Sequence, residues 1–289
     1  MNVSPLTPDF GAEVEGADLR QMTAAQFSEL FDIFTDKSVI FLRDQHALSE
    51  AEHLEFAGRF GEIYVHPAAR GKPADYPGLI RVRTTAESRV SPGNRWHSDI
   101  SCDEYPPQAS ILQLHRMPAV GGDTLFTSLY AAYDTLSDRM KVMLDGLTAL
   151  HSGEETFRHL FRLNADEDFR WPENNHPVVR RHVDSGKPAL FVNREYTLRI
   201  NELPKAEGRS LLEFLFSHSE RVDFQCRFRW STNAIAIWDN RCALHHALWD
   251  YWPAEREGRR VSAVGEKPVP WLLDQDEVGP VDAPVRLTV

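Results

Sequence analysis

The chain has 289 residues, 42% of them hydrophobic and 26% charged, with a formal net charge of −11. That balance suits a folded chain with a sizeable core, and the acidic excess, without a basic block or stripe, argues against nucleic acid as the main partner. Three cysteines, Cys102, Cys226 and Cys242, form no C-x-x-C pair, which argues against a disulfide scaffold or thiolate zinc site and for a reducing compartment.

The N-terminal stretch MNVSPLTPDFGAEVEG has neither a basic region nor an apolar core of signal-peptide type. No apolar run approaches the length of a membrane span. The chain therefore reads as cytoplasmic, with no membrane partner. The first helix is expected from Thr23, where Gln26 completes a capping box and Phe27, Leu30, Phe31 and Phe34 follow helical spacing. SVIFL (Ser38–Leu42) reads as a buried strand. A second helix is expected from Ser49 and Glu52, with Gly61 as its stop. Strand-like runs then dominate: LIRVRT, ASILQLH, TLFTSL, HPVVRRHV, PALFVN, FQCRFRW, AIAIWD and RRVSAV. Helices are expected in DTLSDRMKVMLDGL and in PKAEGRSLLEFLFSHS, with Pro204 in the first turn of the latter. The fold class predicted is mainly β with flanking helices, built on a β-sandwich or jelly-roll core. Residues 1–289 read as one domain, with a lid-like segment of weak periodicity at 151–175.

Within RWHSDISCDEYPP, His97 and Asp99 stand two apart. On an extended segment both side chains point the same way, so they could share a metal ion or simply hydrogen-bond each other. A mononuclear iron site needs two histidines and one carboxylate on one face, leaving the other face open. The third ligand must come from elsewhere, and ALHHA offers His245 and His246. Arg256, Arg260 and Thr124 have the donors to hold a bidentate acid's distal carboxylate. His53, His115 and His159 carry no functional expectation. Arg259 reads as a surface ion-pair partner, Trp96 and Trp238 as core aromatics, and Cys102 and Cys242 as small buried hydrophobes.

The segments GAEVEGADL, VIFLRDQ, FAGRFGEIYVHP, WHSD, PPQASIL, GGDTLF, HPVVRRHVDSGKPALFVN, RFRW, AIAIWDNRCALHHA and DYWPAEREGRRVSAVGEKP occur in this order between about Phe10 and Pro268. In that order they closely resemble the taurine dioxygenase family of Fe(II)- and 2-oxoglutarate-dependent oxygenases. The resemblance implies a double-stranded β-helix core and a cofactor set of Fe(II), 2-oxoglutarate as co-substrate, and O2. It implies His97, Asp99 and His245 as metal ligands, His245 falling seven residues after Trp238. His246 falls where the family often carries an aromatic. Thr124 and Arg256 match the pair that holds 2-oxoglutarate. His66, Ile100, Phe157, Tyr196 and Arg260 match the substrate pocket, with Arg260 and His66 at the anionic head. Ala69 and Gly93 depart from the family's taurine pocket, where Tyr and Asn are usual.

The implied reaction is hydroxylation of a small organic anion, a sulfonate such as taurine or a relative, with release of succinate and CO2. The same chemistry on an alkyl sulfate, aryloxyalkanoate or other carboxylic acid is the alternative. No catalytic acid or base is assigned. A zinc hydrolase using the same three ligands and a catalytically silent jelly-roll binding protein are the readings from other classes. The resemblance also implies a homodimer or homotetramer.

Overall fold

The computed structural model describes residues 1–70, 73–159 and 170–273. Strands β1 (Asn2–Pro5) and β2 (Ala12–Glu15) form an antiparallel hairpin. Helix α1 (Ala24–Lys37) starts at the expected box, with Thr23 Oγ1 accepting from the Gln26 amide and Gln26 Oε1 accepting from the Thr23 amide. Strand β3 (Val39–Leu42) follows and is buried on both faces. Helix α2 (Glu50–Ala57) carries the second capping box at Ser49 and Glu52, but it ends at Gly58 rather than Gly61. Next come β4 (Ile80–Thr84), β5 (Pro107–Arg116), β6 (Thr124–Ser128), α3 (Leu129–Asp134), α4 (Asp138–Leu144), β7 (Thr148–Ser152) and α5 (Glu154–His159). The chain continues through β8 (Glu173–Pro177), β9 (Val179–Arg181), β10 (Pro188–Leu190), β11 (Thr197–Ile200), α6 (Lys205–Ser219), β12 (Gln225–Phe228), β13 (Ile235–Asp239), β14 (Ala243–Ala247), β15 (Arg256–Val264) and β16 (Val269–Pro270).

Seven strands make one sheet in the order β1-β2-β3-β13-β5-β15-β4, and a three-stranded sheet has the order β12-β6-β14. In both, strands distant in sequence lie side by side, as crossing connections require. This is the double-stranded β-helix, or jelly roll, that the sequence predicted. The large sheet is covered on both faces. On one, Leu30 and Phe34 of α1 and Phe56 of α2 join a cluster with Ile40, Leu42 and Ile235. On the other, Val39, Phe41 and Trp238 pack with Phe126 and Phe228 from the small sheet. The Phe41 and Phe228 rings stack with centroids 4.0 Å apart. Burial on both faces is why SVIFL reads as an uninterrupted apolar run. A third cluster joins α6 (Leu211, Leu212, Leu215) to Val178, Leu190 and Ile200.

Several expected elements differ. The helix expected over 134–147 is shorter, α4 alone, begun by Ser137 Oγ accepting from the Met140 amide, and α3, which ends at Asp134, is a helix the pattern did not indicate. Leu129 opens α3 instead of closing a strand. HPVVRRHV is divided between β8 and β9, which lie in different three-stranded sheets. Pro204 sits at the N-cap, one residue before α6, where its missing N–H costs nothing. Of the lid-like segment 151–175, residues 160–169 lie outside the described residues; its flanks form the end of β7, α5 and β8. No helix among the described residues is long and apolar enough to cross a membrane.

Candidate metal centre

His245 lies on β14 and His97 pairs with it across an isolated bridge. Their backbones exchange two hydrogen bonds, His97 N–H to His245 O at 3.1 Å and His245 N–H to His97 O at 2.8 Å. This holds the two imidazoles 4.0 Å apart, centroid to centroid. The segment around Asp99 is a turn, not the strand assumed from the sequence. Ile100 adopts φ 42, a conformation costing a β-branched residue about 1–3 kcal/mol. The turn is anchored by the Asp99 amide donating to Asn240 Oδ1 and by Ser98 Oγ donating to the Asn240 carbonyl. Asp99 thereby faces both rings, its Oδ1 lying 3.7 Å from His97 Nε2 and 3.9 Å from His245 Nε2. All three residues are buried, and their ligand atoms lie within 4.8 Å of one another.

The donor set fits a metal ion. His97 Nδ1 lies 2.8 Å from the Arg95 carbonyl, which can only accept. Nδ1 therefore carries the proton, and the Nε2 lone pair is left to coordinate. Burial pushes the His245 pKa well below its ordinary value, so this ring is neutral near pH 7, and its buried Nδ1 has no hydrogen-bond partner among the described residues. Burial would raise the Asp99 carboxyl, but Arg260 and the two histidines hold it well below the usual carboxylate range. Asp99 Oδ2 accepts from Ser110 Oγ at 2.7 Å, leaving Oδ1 toward the rings. His246, next along β14, faces the other way, with Nε2 3.1 Å from Asn94 Oδ1 and its ring edge-on to Trp96.

Thr124 and Arg256 come together at one end of the same cavity, which has a volume of about 390 Å³ and also holds His97, Asp99 and His245. Trp230 Nε1 donates to Thr124 Oγ1 at 3.0 Å and Arg256 Nη2 at 3.4 Å. With both acceptor positions of the hydroxyl used, its own proton is left to donate. Arg256 is 4% exposed, its Nε has no hydrogen-bond partner, and it forms no ion pair among the described residues. A buried guanidinium so poorly matched is costly unless an anion meets it. Gly258, between Arg256 and Arg260, is required by close approach: a Cβ there would lie 2.2 Å from the Gln113 carbonyl on β5.

Arg260 also lines the cavity, but its Nη1 donates to Asp99 Oδ1 at 2.6 Å. Nothing in the chain's local pattern signals this direct link between an expected substrate residue and an expected metal ligand. Its Nε is buried without a hydrogen-bond partner among the described residues. His66 Nδ1 accepts from the Ala68 amide, and burial and the neighbouring Arg260 lower its pKa to about 4. His66 is thus neutral near pH 7 and contributes hydrogen bonding, not charge. Its ring lies 5.2 Å from that of Phe157, and Ile100 and Tyr196 complete this wall. Ala69 and Gly93 both line the cavity. Arg259 points to the other face of β15, donating to the Leu48 carbonyl.

The sequence alone does not single out Ser110, Asn240 or Trp230. Asn240 accepts from Trp238 Nε1 and donates to Ser110 Oγ, so it ties Asp99 to both β5 and β13. Its polar character directly after an apolar strand was the available signal.

The Taurine catabolism dioxygenase TauD, TfdA family model matches residues 2–262. An alpha-ketoglutarate-dependent sulfonate dioxygenase of Saccharomyces cerevisiae is 32% identical over 93% of this chain and 68% of its own length. An alpha-ketoglutarate-dependent 2,4-dichlorophenoxyacetate dioxygenase of Cupriavidus pinatubonensis is 32% identical over 91% of this chain and 97% of its own. Among solved structures, a taurine dioxygenase from Burkholderia xenovorans superposes with a TM-score of 0.79 at 30% identity, covering 93% of this chain and 92% of that one.

Proposed function

The chain belongs to the TauD/TfdA family and is a 2-oxoglutarate-dependent dioxygenase; from that premise we propose that it hydroxylates a small organic anion at a site where His97, Asp99 and His245 hold Fe(II), Thr124 and Arg256 hold 2-oxoglutarate, and Arg260 and His66 receive the substrate's anionic head. The observation that carries this reading is Arg256: a buried cation without an ion-pair partner among the described residues, beside a hydroxyl whose proton is free to donate, in the cavity that holds the three-ligand face. When bound, Fe(II) with 2-oxoglutarate and O2 supplies the oxidant for hydroxylation, with succinate and CO2 as the other products.

The protein's own contribution is position and charge. His97 presents its Nε2 because Nδ1 is committed to the Arg95 carbonyl, and His245 because burial keeps its ring neutral. Ser110 and Asn240 fix the Asp99 carboxylate. Arg256 and Thr124 match a distal carboxylate by charge and by a single oriented O–H. Phe126, Trp238 and Leu112 line the inner wall and limit water around the three ligands. No general base is needed, and none is assigned.

The sulfonate and aryloxyacetate named for the two curated relatives share an anionic head and differ in body. Ala69 and Gly93 support a roomier pocket than one that carries Tyr and Asn. A sulfonate, such as taurine or a relative, is the first substrate class proposed, with sulfate esters and carboxylic acids after it. Arg256 and Thr124 have no role in zinc hydrolysis, so no observation favours that alternative. A cytoplasmic setting is supported by the three buried free thiols; assembly as a homodimer or homotetramer rests on the family resemblance alone. The test is substrate-dependent succinate formation across sulfonates, alkyl sulfates and aryloxy acids. At least one anionic class should raise succinate above the uncoupled background. A response only to uncharged substrates would overturn the role of Arg260.

A further inference from the structure

One carboxylate on the cavity wall has no part in the metal or 2-oxoglutarate sites. Glu195 directly precedes Tyr196, and its side chain is 12% exposed. One oxygen, Oε1, accepts from Thr156 Oγ1 at 2.7 Å. The other, Oε2, is buried without a hydrogen-bond partner among the described residues. Among the described residues the nearest cation is Arg95, whose Nη1 stands 3.9 Å from Oε2, beyond hydrogen-bond reach. Arg95 is also 66% exposed and divided between Glu195 and Glu155, which lies 4.0 Å away. A carboxylate oxygen withdrawn from water and left without a donor is costly. It persists where something else supplies the donor.

Its position indicates what that donor is. Glu195, Thr156 and Gly93 line both the cavity containing the metal-ligand residues and an adjoining outer cavity of about 420 Å³. Arg260 and His66 lie in the inner cavity, so the wall carries a cationic pole within and an anionic pole at the junction. Gly93 keeps this passage open: at φ 83 it has no side chain, and even a Cβ would touch His97 Cε1 at 3.5 Å and Ala247 Cβ at 3.6 Å.

We propose that Glu195 is a specificity-determining residue that receives a cationic N–H donor, an ammonium group, on the tail of a substrate whose anionic head lies toward Arg260. The proposal rests on the dioxygenase reading of the site and narrows its substrate class to bipolar molecules long enough to reach the junction. It sets this chain apart from a pocket built for a wholly apolar tail, such as a chlorinated ring.

The test uses two matched series of straight-chain sulfonates, about two to six carbons long, ending in either a methyl or an ammonium group. Binding to the anaerobic Fe(II)- and 2-oxoglutarate-loaded protein is measured by calorimetry, and KM and kcat by succinate formation. The unaltered protein should bind the best ammonium-ended member about tenfold or more tightly than its methyl-ended counterpart. Glu195→Gln is nearly isosteric and keeps the Thr156 hydrogen bond. It should erase that preference through KM, with kcat and methyl-ended binding changed by no more than about twofold. Thr156→Val, which releases Oε1, should reduce the preference without abolishing it. Equal binding of both series to the unaltered protein, or an unchanged preference in Glu195→Gln, overturns the proposal. The visible band of the Fe(II)–2-oxoglutarate complex separates the two levels: no preference with the band present overturns only the role of Glu195, whereas loss of the band overturns the underlying reading and the proposal with it.

Discussion

Replacing Arg256 by methionine should stabilise the protein in the absence of 2-oxoglutarate while weakening its hold on that ligand. Arg256 is 4% exposed, its hydrogen bond to Thr124 is long, 3.4 Å, and its Nε is unpartnered among the described residues. Burial lowers its pKa, which reports the same unfavourable desolvation. Replacing poorly matched buried charges by apolar groups of similar volume is often neutral or stabilising by about 1–4 kcal/mol. With a urea m-value of about 1–3 kcal/mol/M, even 1 kcal/mol raises the unfolding midpoint by about 0.3–1 M. The same change removes charge-assisted hydrogen bonds to the ligand, each contributing about 1.5–3 kcal/mol. Loss of about 3 kcal/mol weakens 2-oxoglutarate binding about 100-fold. The assays are urea unfolding of the metal-free protein and anaerobic titration of the Fe(II) protein with 2-oxoglutarate. Arg259→Met, on the opposite face of the same strand, is the control and should leave ligand affinity unchanged. Destabilisation of Arg256→Met by more than about 3 kcal/mol would mean that the guanidinium is already well paired. An affinity within about threefold of the parent would remove Arg256 from the 2-oxoglutarate site.

His97→Ala and His245→Ala should each abolish stoichiometric Fe(II) binding, measured as metal retained per chain, whereas His246→Ala should keep the metal; retained binding in either of the first two would refute the ligand set. Gly93→Asn is compatible with φ 83, a conformation asparagine tolerates better than most residues, and should narrow the passage beside His97; kcat/KM for long substrates should fall at least about tenfold while that for the shortest changes little, and uniform loss across chain lengths would contradict this. Stability should fall on acidification before the carboxylates titrate. Burial lowers His53, His66 and His176 from 6.5 to about 4, so between pH 6.5 and 4 the unfolded chain binds more protons, and the stability these neutral rings provide above pH 6.5 is lost as pH falls. Each contributes a loss of about 2 kcal/mol by pH 5, and a urea midpoint that is flat from pH 7 to 5 would refute it.

What could be read from the sequence and what could not divide along the range of the interactions involved. The capping boxes at Thr23 and Ser49 involve residues three apart, so both helix starts were legible. Helix ends depend on competing local caps, and Ser137 starts α4 four residues later than the apolar pattern implies. Alternation on a strand pairs His97 with Asp99 in the sequence, but the folded segment is a turn. They converge because Asn240 and the strained Ile100 turn the carboxylate toward a histidine that lies far along the chain. Arg260 was assigned to a substrate head, and its bond to Asp99 appears only when β15 lies beside β5 and brings the guanidinium over that turn. Glu195 carried no local signal, because its importance lies in an oxygen left without a donor, a property of the folded wall.

The most direct measurement is anaerobic absorption spectroscopy of the metal-free protein mixed with Fe(II) and 2-oxoglutarate. A weak visible charge-transfer band should appear only when both are present, and it should be absent from His245→Ala and require far more 2-oxoglutarate in Arg256→Met. A mixture that stays colourless at saturating concentrations of both, while the protein remains folded, would contradict the site described above.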